Sequence, residues 1–318
     1  MMNKLWRSGL LAFLLLIVAG FVLYSSYTSA PQGTQAAPTA QTRSVTDAAG
    51  RTIAVPLHPQ RVLALGEFDL DALLALGIEP VGATNGRGQA TVPNYLLSRV
   101  THVASVGGFA QPNMDQVIAA QPDLIVTSAI RDEQVLAQLQ KVAPTLVTIS
   151  AGVDWQTGFK QMAALLAQED KAMAFLAQYQ QRVAALRAQI KPAQTVSIVR
   201  WDPKGPGFMF KDAFASLVVQ DLGLQRPVSQ QKGGANHSPP LSLEALSEID
   251  ADWIFIGTLA PEGEAATTLK TVQNSPPFQQ LNAVKQQRVR VIDGSLWTIV
   301  GGPLAAMAVL DDIEKNLR

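Results

Sequence analysis

The chain has 318 residues, 25 basic and 25 acidic side chains, and no cysteine. Balanced charge excludes a nucleic-acid surface built on a basic surplus. The missing cysteines exclude a disulfide framework, a thiolate metal site, a cysteine nucleophile and a lipid-bearing cysteine.

Residues 1–30 carry Lys4 and Arg7, an apolar run from Leu10 to Leu23, and a small-residue exit at Thr28-Ser29-Ala30. This order is that of a secretory signal peptide. With Tyr24 to Tyr27 included, the run approaches the roughly 20 residues of a membrane span, so a cleaved signal and a retained anchor both stay open. Residues 31–43 lack apolar periodicity and are expected to form a flexible tether. An exported chain without a lipid anchor is expected in the periplasm, free or tethered to the inner membrane. Setting Lys4 and Arg7 aside, 23 basic residues face 25 acidic ones.

Residues 44–153 alternate short apolar runs with amphipathic segments. RVLAL, VGAT, LIVTS and TLVTI read as strands; DLDALLALG, MDQVIAAQ and RDEQVLAQLQKV read as helices, the first ended by Gly77. Continuous apolar strands suit a parallel sheet covered on both faces, and the alternation predicts an α/β lobe. Residues 154–191 break the rhythm. Phe159, Met162, Leu165, Leu166, Met173, Leu176, Tyr179, Val183, Leu186 and Ile190 recur at steps that fit one unbroken amphipathic helix, ending before Pro192. Such a helix would span roughly 45 Å. Residues 192–318 resume the alternation: TVSIVRW, WIFIG and RVRVID as strands, AFASLVVQDLG, LEALSEID and GPLAAMAVLDDIEKNLR as helices, with Gly223 closing one and Pro303 in the first turn of the last. The expected fold is two α/β lobes with mainly parallel sheets, joined by one long helix. A cleft between such lobes is where a ligand site is expected.

One unit occurs in each lobe. PNMDQVIAAQPDLIVTS at 112–128 and LSLEALSEIDADWIFIG at 241–257 both place an acid, a helical stretch, an aspartate and an apolar run in order. Asp115 precedes Asp123 by the same interval as Glu244 precedes Asp252. An acid in the first turn of a helix is stabilised by the helix dipole, and Ser242 has the chemistry of an N-cap.

Three passages carry a wider resemblance: HPQRVLALGEFDLDALLALGIEPVGAT, PNMDQVIAAQPDLIV and SLWTIVGGPLAAMAVLDDI. In order and spacing, from Ser44 to Arg318, the chain resembles the periplasmic substrate-binding proteins of the helical-backbone class. These serve ABC importers of ferric siderophores, haem and cobalamin. SIVRWDPKGPGFMF followed by LGLQRP resembles the iron-siderophore branch most. The resemblance implies a monomeric binding protein, not an enzyme, that takes a ferric siderophore as ligand and uses no cofactor. It also implies docking to the permease dimer of an inner-membrane ABC importer through one acid per lobe, here Asp115 and Glu244. The family usually has Glu at the first of these, and Asp115 is one methylene shorter. Two like acids on quasi-equivalent lobes suit a two-fold symmetric partner.

The cleft chemistry is expected where strands end. Arg87 lies in NGRGQ after VGAT, Arg131 follows LIVTS, Arg200 and Trp201 close TVSIV, and Trp297 follows RVRVID. Guanidinium groups suit the outer oxygens of an anionic chelate, and the indoles are expected to cover its apolar parts. For each arginine the alternative is a solvated surface charge, and for each indole a core position. His237 and Glu67 are further residues whose contact with a ligand stays open. His58, His102 and His237 show no clustered spacing, so a metal site built by the protein is not expected. No G-x-S-x-G elbow is present. The competing readings are haem or cobalamin binding on the same fold, and a membrane-anchored periplasmic binding or sensory module.

Overall fold

The computed structural model describes residues 41–191 and 193–317. The expected signal or anchor at 1–30, and the tether up to residue 40, lie outside the described residues. Strands β1 (Thr42–Thr46) and β2 (Thr52–Pro56) form an antiparallel hairpin. Thr42 and Arg43, expected in the tether, therefore already belong to the folded part. Asp47 makes the turn: its carboxylate accepts the N–H groups of Ala49 at 3.0 Å and Arg51 at 2.9 Å, the local bonding that suits Asp to turns.

The first lobe is a five-stranded parallel sheet. Its strands are β3 (Val62–Ala64), β4 (Gly82–Ala83), β5 (Ala104–Ser105), β8 (Leu124–Thr127) and β9 (Thr145–Val147), in the spatial order β5-β4-β3-β8-β9. A small ribbon of β6 (Gly107–Gly108) and β7 (Gln111–Pro112) follows β5. Helices α1 (Glu67–Ala75), α2 (Met114–Ala119) and α3 (Glu133–Gln140) make connections. The second lobe orders its strands β11-β10-β12-β13. Here β10 (Val196–Asp202), β12 (Trp253–Thr258) and β13 (Val289–Asp293) run parallel, and β11 (Gly205–Phe208) pairs antiparallel on the edge.

The segment expected as one unbroken helix is two. Helix α4 covers Trp155–Leu165 and α5 covers Glu169–Arg187. Between them Ala167 has φ 53°. The N–H of Gln168 reaches the carbonyl of Ala163 at 2.8 Å, and that of Ala167 reaches Ala164 at 3.3 Å. These are the two bonds of a Schellman stop with a left-handed residue in it. Apolar spacing survived the break because both helices bury a face on the same core. The linking helix is thus 19 residues long, about 28 Å, and Ile190 lies beyond it. Gly77 and Gly223 do end helices as expected, each with φ near 76° (75° and 77°).

Helix α6 (Phe214–Asp221) packs on β10; α7 (Glu264–Val272), α8 (Pro276–Gln279) and α9 (Asn282–Lys285) connect β12 to β13. The chain closes with α10 (Gly294–Trp297) and α11 (Pro303–Leu317). LEALSEID forms a 3₁₀ helix, Leu243–Ile249, rather than an α-helix; Ser242 stands at its N-cap position without a side-chain capping bond. The core has three parts. One fills the outer side of the first sheet around Leu63, Ile125 and Val147, and one fills the second lobe around Trp201, Phe208 and Ile254. The largest runs through both lobes, from Val62, Phe68 and Leu73 through Phe159 and Tyr179 to Ile198, Phe255 and Val309. The lobes are therefore fused through a common core, and the linking helix is only one of their connections.

The repeated unit has a structural meaning. Asp123 accepts the N–H groups of Gln60 at 2.7 Å and Arg61 at 3.0 Å, just before β3. Asp252 accepts the N–H of Thr195 at 2.8 Å and its hydroxyl at 2.9 Å, just before β10. In each lobe the aspartate ahead of one strand fixes the start of its parallel neighbour.

Candidate ligand cleft

In open parallel sheets ligands bind beyond the carboxyl ends of the strands, where the strand order reverses. In the first lobe that point lies between β3 and β8. Residues 65–67 leave β3 there, and residues 128–132 leave β8. Gly66 lets the two loops close up: a Cβ on it would lie 2.4 Å from the Asp69 carboxylate and 2.6 Å from the Ser128 hydroxyl. Asp69 joins them, accepting the Ser128 N–H at 2.6 Å, its hydroxyl at 2.8 Å and the Thr148 hydroxyl at 2.6 Å.

Three arginines stand at strand ends, as their sequence positions imply. Arg87 is exposed in the loop after β4, its guanidinium 4.2 Å from the centre of the Phe109 ring. Its backbone N–H donates to Glu67 at 2.6 Å. Arg131 is exposed after β8 and donates to the Ile149 carbonyl at 2.5 Å, on the wall of a 370 Å³ cavity shared with Pro112 and Met114. Arg200, in the second lobe, is 13% exposed at its side chain and donates to Asp202 at 3.2 Å. Its neighbours in the ladder are Gly207 and Gly257, so no side chain stands beside it on the sheet. The two lobes approach one another at these ends. A Cβ on Gly88 would meet Leu259, just past β12, at 3.5 Å.

Both indoles require correction. Trp201 is 1% exposed, packed with Val199, Phe208 and Leu246. Successive side chains on a strand point to opposite faces, so Arg200 and Trp201 cannot serve the same surface. Trp297 is fully buried, stacked on Phe255 at 4.7 Å, with its indole N–H donated to Asp312 at 2.9 Å. The aromatic ring beside Arg87 is Phe109, from the turn GGFAQP, a ring that spacing alone did not single out. His237 is exposed, its Nδ1 2.9 Å from the Ser238 carbonyl. The two described tyrosines are engaged: Tyr95 donates to Asp71 and Tyr179 to Asp221, both at 2.8 Å.

Asp115 and Glu244 are both exposed, in the first turns of their helical segments. Glu244 is held below the usual carboxylate range by its own backbone N–H and then by the Ser242 hydroxyl. A larger 620 Å³ cavity, lined by Arg187, Gln220 and Asp221 between α5 and α6, lies away from the strand ends.

Residues 62–296 match the periplasmic binding protein family, and the chain belongs to that family. It is a binding protein and not an enzyme. It is 30% identical over 310 residues to the probable siderophore-binding lipoprotein YfiY of Bacillus subtilis, covering 94% of each chain. It is 25% identical over 309 residues to the Fe(3+) dicitrate-binding periplasmic protein FecB of Escherichia coli, covering 96% of each. Among solved structures it is similar to Staphylococcus aureus SirA complexed with staphyloferrin B, with TM-score 0.75 and 28% identity over 87% of this chain and 98% of that one.

Proposed function

We propose that this protein captures an iron(III)–siderophore complex in the cleft between its lobes and delivers it to an inner-membrane ABC importer. The observation that carries the reading is the close approach of the two lobes at Gly88 and Leu259, with Arg87 and Arg131 on the loops of one lobe and Arg200 on β10 of the other. Relatives whose names specify siderophore and ferric dicitrate ligands support it. Forked guanidinium groups on both sides suit a chelate with anionic oxygens on its rim. The iron arrives already wrapped by its chelator, and the protein supplies recognition of the wrapping.

Asp115 and Glu244 are the docking acids, one on each lobe, for the two permease subunits. Each stands exposed in the first turn of its helical segment, so its charge is available to a basic partner. The protein acts as a monomer in the periplasm, either released by cleavage after residue 30 or retained by its N-terminal segment.

The test is a calorimetric titration of the ligand-free protein with ferric citrate, ferrichrome, ferric staphyloferrin B and ferri-bacillibactin, beside haem and cobalamin. Sub-micromolar binding of a ferric chelate is expected, weakened at least tenfold, about 1.4 kcal/mol, in Arg200→Ala. Binding of haem or cobalamin alone would move the protein to those ligands, and binding of nothing would leave the anchored-module reading.

A further inference from the structure

Helix α1 is buried from Glu67 to Leu73, yet three of its nine residues are acids. Two of them serve the fold. Asp69 ties the loops after β8 and β9, and Asp71 binds backbone and tyrosine donors from two other elements. Glu67 does neither. It is 5% exposed, and among the described residues its hydrogen bond comes from the backbone N–H of Arg87, 20 positions away, at 2.6 Å.

The loop so held is already folded on itself. The Gly86 N–H reaches the Thr91 carbonyl at 2.8 Å, and the Asn85 amide reaches the Ala90 carbonyl at 2.9 Å. The Ser105 hydroxyl donates to the Asn85 side-chain Oδ1 at 2.8 Å. At its base the loop is tied to the ribbon after β5, where the Asn85 N–H reaches the Gly107 carbonyl at 2.9 Å. At its tip the contact with Glu67 joins it to the first residue of α1, and the Arg87 guanidinium stands over Phe109. Burial is the main influence on Glu67 and pushes its carboxyl up to about 7. A buried carboxyl disfavoured by its surroundings lowers stability, and such a cost is often found where function needs a group in place.

We infer that Glu67 is a positioning residue for ligand capture, holding the backbone of Arg87 so that its guanidinium is set at the cleft before the ligand arrives. The inference rests on the reading of this cleft as a ferric-chelate site. Ordering a long side chain in advance removes part of the entropy cost of binding.

The test compares wild type, Glu67→Leu, Glu67→Gln, Arg87→Ala and the double variant Glu67→Leu/Arg87→Ala. Each is titrated with whichever of the four ferric chelates above binds wild type. Glu67→Leu should weaken binding about tenfold, while Glu67→Gln, which keeps an acceptor oxygen, should stay within about threefold. The double variant should bind no worse than Arg87→Ala, since Glu67 acts through Arg87. The ligand-free Glu67 variants should melt no lower than wild type at pH 8, which separates positioning from a structural role. Wild-type affinity in Glu67→Leu, a Gln variant as weak as Leu, or multiplying effects in the double variant would each overturn the inference. Wild-type affinity in Arg87→Ala overturns it too, by removing Arg87 from the site. If wild type binds no ferric chelate, the functional reading itself fails, and this inference with it. Should Glu67→Leu not fold, amide exchange at Arg87 in Glu67→Gln decides: slow exchange with retained affinity supports the inference, and any other combination overturns it.

Discussion

A single carboxylate joins parts of this chain 233 positions apart. Asp71, on α1, accepts the N–H groups of Leu304 at 2.7 Å and Ala305 at 2.8 Å, together with the Tyr95 hydroxyl. The first turn of α11 is thus capped by a residue more than 200 positions earlier. The geometry is that of an N-cap, an oxygen meeting the free N–H groups of a helix start, but supplied from another element. Gly302 makes room for it, because a Cβ there would lie 2.6 Å from the Asp71 oxygen. Asp71→Ala should leave two amides and a phenol buried without a partner and cost about 3 kcal/mol or more, measured by urea unfolding. Gly302→Ala should destabilise in the same direction by displacing the carboxylate. Neither role was visible in the sequence. SLWTIVGGPLAAMAVLDDI announced a helix with Pro303 in its first turn, but nothing in it named Asp71 as the cap. Strand-end arginines were legible, because an arginine closing an apolar run has few places to go. The indoles were not, because alternation on β10 decides which neighbour faces the cleft.

At the scale of elements, most of the alternation of strands and helices was readable from apolar runs and glycine stops. The break between α4 and α5 was not. A Schellman stop with glycine in it announces itself, as at Gly77 and Gly223; the same stop with Ala167 does not. Alanine in the left-handed region carries a steric cost that glycine escapes. Ala167→Gly should therefore raise stability by about 0.5–1 kcal/mol, read from the denaturant midpoint. In an unbroken helix the same change would cost about 1 kcal/mol, so the sign of the effect distinguishes the two arrangements. The 3₁₀ form of Leu243–Ile249 was equally hidden, since its apolar spacing fits either helix. The repeat of which it is part was correctly seen in the sequence, and its aspartates proved to be strand anchors.

For the whole molecule, the acids of α1 dominate the response to pH. Burial raises Glu67 to about 7 and Asp69 and Asp71 to about 6. Each holds its proton more tightly folded than unfolded. Their contribution to stability is fullest below the ordinary carboxyl value near 4 and is lost as the pH rises through 6 and 7. Asp47 and Asp154 act in the opposite sense. Burial raises each, but bonds from Arg51 to Asp47 and from Thr157 to Asp154 outweigh it and hold both below the usual range. Their stabilisation is lost as the pH falls below about 4. The thermal midpoint should thus peak near pH 4, and the unfolding free energy should fall by about 5 kcal/mol between pH 5 and pH 8. A midpoint that stayed level or rose over that range would contradict the burial of these three groups.

The sequence by itself determined the two α/β lobes, the parallel strands, the helical connection, the repeated unit and the arginines at strand ends. All of these follow from local periodicity and from where charge interrupts an apolar run. Only the tertiary structure decided which indoles are core, where the connecting helix stops, and which acids of GEFDLDALLALG serve which partners. Those outcomes depend on groups brought together from distant parts of the chain: Glu67 with Arg87, Asp69 with Thr148, Asp71 with Leu304. A one-dimensional pattern records which face a residue shows, but not what that face meets.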